Sequence, residues 1–271
     1  MSASVALLGV KGGPAIRPGS NMPTSTLVQM GGARILVDAG LGAARGVCVQ
    51  GVALPELDAI FVTHLHSDHY LELGPLLHTA WTAGLSRPVP VYGPPKLAAY
   101  WAGFLASMAE DIALRVADEG RPDLAALVQL HPLAAGLPVQ IGEVTVTALE
   151  NFHPPVMPSF ALRFTAEGKS AVLSGDTAPI PEMVDFARGA DLLVHEAMLV
   201  DGVEAVIAKT PNGDDRLRQH ILRSHSAAED VGRIATAAGV TQLALNHFVP
   251  DGLPGFTETD WQAAVRKTWD G

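Results

Sequence analysis

The sequence predicts a sheet-rich α/β fold with helices on its outside, and three observations carry that prediction. Short apolar runs rich in Val, Ile, Leu and Phe recur along the 271 residues. The first half is mostly such runs, while in the second half they alternate with helical stretches, as in folds that layer helices on sheets. Metal-binding residue types gather just past the ends of several runs, where open α/β sheets build their sites. With 48% hydrophobic and 17% charged residues, the chain has ordinary globular composition and is long enough for a large core.

The strand candidates, in order, are "SVALLG", "STLVQM", "ARILVD", "DAIFVT", "VPVYG", "EVTVTAL", "SFALRF", "SAVLSG", "DLLVHE" and "QLALNH". Each is short and apolar, and many stop at Gly, Asp or Pro. Helices are expected over 70–81, 95–108, 181–187, 227–238 and 259–269. Residues 94–138 read as a mainly helical insertion, either simple packing or a lid or dimer surface over the site. With no linker, charge block or repeat, one domain over 1–271 is expected.

The formal charge of -10 argues against a large nucleic-acid footprint, which needs a basic face. It leaves room for a small anionic substrate, since a bound metal can dominate the local field. The single cysteine, Cys48, excludes an internal disulfide and a cysteine-based zinc site, and is expected to be a small buried apolar residue. "MSASVALLGVKGG" lacks the basic and long apolar regions of a signal peptide, and reads as a short strand running into a Gly-rich turn. No apolar run approaches the ~18 residues of a membrane span. A soluble, cytoplasmic protein is expected.

The densest signal is "THLHSDH", where His64, His66, Asp68 and His69 sit at i, i+2, i+4 and i+5. A regular helix would scatter these side chains, whereas a loop leaving the "DAIFV" strand turns them toward one point. Imidazole with carboxylate suits zinc or a similar divalent ion, and four candidate ligands are more natural for two adjacent ions than for one. Four further candidates stand near strand or helix ends: His153 after "EVTVTALENF", Asp176 in "SGDT", His225 before "SAAED" and His247 in "QLALNH".

Taken together, these motifs resemble the metallo-β-lactamase-fold dinuclear hydrolases over nearly the whole chain. The resemblance implies a four-layer αββα sandwich with the site at one edge. It implies His64, His66 and His153 on one ion, Asp68, His69 and His247 on a second, and Asp176 bridging them. Two subgroups share the second-half motifs "FHPPVMPSFALRF", "SGDT", "LLVHEAM" and "SHSAAEDVGRIATAAGVTQLALNHF": the RNase Z type tRNA 3′-processing endonucleases and the zinc arylsulfatase and phosphodiesterase group. The nucleases typically carry Asp-Cys-Gly-Glu-Gly-Thr-Gln after their third strand, where this chain has "DAGLGAARGV". "MPTSTLVQMGG" resembles the arylsulfatase-like group instead, and no basic, Gly-rich RNA-gripping arm is found.

The expected function is therefore a dizinc hydrolase of a small anionic ester, a phosphodiester or aryl sulfate, attacked by a metal-bridging hydroxide. Mn2+ or Fe is also compatible with His/Asp ligands. Asp68 would orient the nucleophile. The alternatives are an RNase Z-type nuclease, a lactone or β-lactam hydrolase, a flavin-linked di-iron oxidoreductase, disfavoured because His66 stands where Glu is usual, and a scaffold with a decayed site, disfavoured because all seven ligand positions are filled. DNA, RNA and membrane partners are not expected, and a homodimer is.

His225 is read as catalytic, donating to the substrate anion or protonating the leaving group. Ser226 followed by Glu229 has capping-box spacing, so Ser226 is expected to cap a helix whose N-terminus faces the site, with Gly239 closing it. Glu196 and Asp38, and less so His195, are expected behind the metal ligands. His78, His131 and His220 read as structural or exposed. Met157, Phe160, Phe248 and Trp81 are candidates for an apolar pocket wall, or for the core.

Overall fold

The computed structural model describes residues 3–209 and 215–271. Twelve described strands form two six-stranded sheets. The first holds β1 (Ser4–Gly9), β2 (Ser25–Met30), β3 (Ala33–Val37), β4 (Ala59–Phe61), β5 (Val89–Gly93) and β6 (Val128–Pro132), side by side in chain order. The second holds β7 (Val139–Ile141), β8 (Val144–Glu150), β9 (Phe160–Ala166), β10 (Lys169–Leu173), β11 (Leu192–Met198) and β12 (Gln242–Val249), also in sequential order. Each sheet opens with antiparallel hairpins and becomes parallel from its third or fourth strand on.

The helices lie in the order α1 (Ala43–Val49), α2 (Ser67–Tyr70), α3 (Leu73–Thr82), α4 (Leu97–Ser107), α5 (Ala109–Glu119), α6 (Leu124–Leu127), α7 (Pro181–Ala187), α8 (Val200–Ile207), α9 (Asp215–Ser224), α10 (Ala228–Ala238) and α11 (Glu258–Arg266). Strand side chains alternate between faces, and that period divides the core into layers. Val28, Ile35, Val37 and Phe61 of the first sheet meet Val144, Val146, Phe164 and Leu173 of the second. Their neighbours Leu27, Leu36 and Ile60 point the other way, onto α1, α3 and α4. On the far side, Val172 and Leu193 bury against α7 and α10. This is the αββα sandwich the motifs imply. Burying each such aliphatic or Phe side chain contributes roughly 1.5–3 kcal/mol.

The 94–138 stretch is only partly an insertion. It contributes β6 to the first sheet, and Leu97 and Trp101 of α4 enter the core. α5 has no buried residue and leaves Leu114 exposed. None of this stretch lines the cleft over the site, so the lid expectation is replaced by a packing role. Cys48 is exposed, contrary to expectation, because α1 turns that face outward while Ala43 and Val47 take the core. Among the described residues, no helix is long and apolar enough to cross a membrane.

Candidate metal centre

Strand ends place the site. Beyond β4 the chain passes through buried Thr63 to His64, and His66 then precedes α2, which carries Asp68 and His69. β8 leads to His153 and β10 leads to Asp176. The β11–β12 register slips between Glu196 and Ala197, so His247 is an extra residue with no partner across the ladder. Its φ of 45° is the left-handed conformation of a bulge. The bulge aims His247 at the others.

Two sets of ligand atoms result, each within 4.8 Å of one another: His64, His66, His153 and Asp176, and then Asp68, His69 and His247. Asp176 Oδ2 lies between the sets, 3.6 Å from His64 Nε2, 3.3 Å from His69 Nε2 and 3.0 Å from His247 Nε2. All seven side chains except His66 are buried.

The groups behind the cluster fix its tautomers. His69 Nδ1 donates to Asp38 Oδ2 at 2.7 Å, and the Thr63 hydroxyl, itself a donor to Asp38, takes His64 Nδ1–H at 3.1 Å. His153 Nδ1 donates to the Ser224 carbonyl at 2.8 Å. Such anchoring is usual behind metal-bound imidazoles. The opposite nitrogens of His64 and His153 therefore turn lone pairs inward, 3.2 Å and 3.0 Å from His66 Nδ1. Burial lowers the basicity of His64 and His66, the latter to about 4, so protons do not relieve this crowding. His69 Nε2 and Asp176 Oδ1 are buried with no hydrogen-bond partner. Converging lone pairs, unpartnered buried atoms and a His/Asp donor set all fit divalent metal.

Asp38 stands behind His69, where it was sought, at a φ of 61°. Glu196 stands instead behind His225, its carboxylate 3.1 Å from Nδ1, and it also accepts the Thr177 N–H at 2.8 Å. Burial alone would lower His225, but Glu196 outweighs it and lifts its pKa to about 9. His225 thus presents a proton donor beside the cluster, stacked on His247 at 5.4 Å. His195 is wholly buried and donates to the Glu196 carbonyl, without a hydrogen bond to the cluster.

Several expectations change. Ser226 caps no helix: α10 begins at Ala228, and the Ser226 hydroxyl donates to the Thr177 carbonyl at 2.8 Å, pinning the turn that carries Asp176. Glu229 faces outward to Lys267 and Arg233, while Gly239, at a φ of 63°, does end the helix. Trp81 and Phe160 are core residues, Met157 is exposed, and Phe248 packs on Trp261 beside a separate cavity of about 520 Å3 under α11. His78 pairs with Asp111 and His131 is exposed on Tyr92, but His220 of α9 lines the cleft, 6.0 Å ring to ring from His66. That cleft encloses about 930 Å3, and Lys11, Arg17 and Lys209 supply its cations. The sequence gave no sign of Thr63, Lys11 or Ser224, whose roles depend on neighbours remote in the chain or on backbone atoms.

The turn before Asp176 tolerates little change. Gly175 has a φ of 57°, and a Cβ there would run into the Phe160 carbonyl. Gly175→Ala should cost about 1–3 kcal/mol from the left-handed backbone alone, read as a lower melting temperature with weaker metal binding.

The profile of the beta-lactamase superfamily domain matches residues 33–248. The chain belongs to that superfamily. It is 37% identical over 243 residues to "Ribonuclease Z" of Mycobacterium sp. (strain KMS), covering 88% of this chain and 82% of the relative. The fold superposes on the metallo-beta-lactamase fold protein YhfI from Bacillus subtilis with a TM-score of 0.72 at 22% identity, over 100% of this chain and 95% of the other. The short form of human tRNase Z gives 0.68 at 21% identity, over 90% and 92%. At these identities the two structures show the shared fold. Profile and relatives together make the chain a metal-dependent hydrolase related to ribonuclease Z.

Proposed function

We propose that the chain hydrolyses phosphodiesters at a dinuclear zinc centre, with an RNA phosphodiester as the substrate. The observation that carries this is Asp176 Oδ2 set between two histidine clusters, beside a proton-donating His225, at the floor of a cleft bordered by Lys11 and Arg17. The relatives named ribonuclease Z support RNA, against the sequence expectation that disfavoured it. His64, His66 and His153 would hold one ion, Asp68, His69 and His247 the other, and Asp176 both. Bound ions supply a water that ionises near neutrality and a Lewis acid for the phosphoryl oxygen. Asp68 orients the nucleophile, and His225, its ring fixed by Glu196, delivers a proton to the leaving oxygen.

A second reading, a small phosphodiester or aryl sulfate, is favoured by the net charge of -10 and by "DAGLGAARGV". A single experiment tests both. Purified protein is assayed for bound metal, then given a precursor tRNA with a 3′ extension, bis(4-nitrophenyl) phosphate, 4-nitrophenyl sulfate and a lactone, with and without chelator. Chelator-sensitive cleavage of the RNA near its 3′ end supports the first reading. Cleavage of the small esters alone supports the second. Two bound ions with only lactone hydrolysis would defeat both.

A further inference from the structure

We infer that Lys11 is a positioning residue that locks the Asp68–His247 half of the centre through the Gly12–Gly13 backbone; this rests on the two-ion reading above. "VKGG" follows β1, and its Lys11 is nearly inaccessible, at 3% exposure, although its ammonium must be kept from bulk water at a cost. That ammonium donates to the Gly12 carbonyl at 2.7 Å and the Gly13 carbonyl at 2.9 Å. Lysine thus stitches together two successive peptides that would otherwise turn freely, since glycine restrains its backbone least.

The stitched peptides touch the site directly. Gly13 N–H donates to Asp68 Oδ2 at 2.7 Å, the same oxygen that lies 3.3 Å from His247 Nε2. Gly12 N–H donates to the Phe248 carbonyl, and Phe248 N–H to the Val10 carbonyl, which hold the chain on both sides of the His247 bulge. The fit is close enough that a Cβ on Gly12 would come within 3.0 Å of His247 Cε1. The loop thereby orients one carboxylate and one imidazole of the same ion, and it touches neither His64 nor His153. Lysine acts here through the backbone, at a distance from the reacting atoms.

The consequence is asymmetric. Lys11→Met should fold, keep the first ion, and bind the second at least tenfold more weakly in a zinc-indicator titration. Turnover at limiting zinc should fall in proportion, with KM for the diester little changed. Lys11→Arg, which keeps a cation and its donors, should recover part of the affinity. Gly12→Ala is an independent variant, because it leaves Lys11 in place and presses on His247; it too should weaken only the second ion. A purely structural lysine would lower the melting temperature and leave both ion affinities alone. Parental affinity for both ions in Lys11→Met or in Gly12→Ala would overturn the inference while leaving the two-ion reading intact. A parent protein that binds a single ion would overturn that reading and the inference with it.

Discussion

Asp176→Ala is expected to bind fewer metal ions and to lose nearly all turnover while keeping its fold. Asp176 Oδ2 is the atom common to both ligand sets, within 3.6 Å of His64, His69 and His247 nitrogens. The surrounding histidines hold its carboxyl well below the usual range despite complete burial, so it is an anion at every working pH. Removing it leaves the histidine nitrogens with no negative charge between them, and two cations this close would then repel one another unshielded. The loss should reach at least a thousandfold, equivalent to about 4 kcal/mol of transition-state stabilisation. Elemental analysis gives the metal count, circular dichroism the fold, and a diester assay the rate. Asp176→Asn keeps the shape and removes the charge, and should behave nearly as badly. Two ions and full rate in either variant would refute the bridging role.

The residues that converge on Asp176 were legible because the sequence writes them at strand ends and in one tight turn. His64, His66, Asp68 and His69 need only the β4 exit to meet, and a loop there suffices. His153, Asp176 and His247 are brought in by sheet order, which the apolar runs outline. What stayed hidden was decided by tertiary competition. Ser226 and Glu229 have capping-box spacing, but the Thr177 carbonyl, far away in sequence, takes the Ser226 hydroxyl, and the helix starts one residue later than that box requires. His220 looks like any polar helical residue until α9 lays it along the cleft. β6 was hidden because "VQLHP" is short and partly exposed, so its pairing with β5 leaves no clear alternation in the chain. Glu196 was placed behind the metal ligands from its position at a strand end; only the structure assigns it to His225.

That assignment sets up the second large effect. His225→Ala should retain both ions, since the two ligand sets are complete without it, yet slow RNA cleavage by about 10²–10⁴-fold, the usual range for loss of a general acid. The size of the effect should depend on the leaving group. A ribose alkoxide needs a proton as it departs, whereas 4-nitrophenolate is a stable anion, so bis(4-nitrophenyl) phosphate should be slowed far less than RNA. Glu196→Gln should show the same pattern in weaker form, because the ring keeps its place but loses the carboxylate that sustains its charge. If His225 instead only recognised the substrate anion, both phosphodiesters would suffer alike, mainly in KM. Equal slowing of a neutral lactone would remove both roles and leave His225 as packing against His247 and His153. Measured together on RNA, activated diester and lactone, the three rates separate proton delivery from anion binding and from packing.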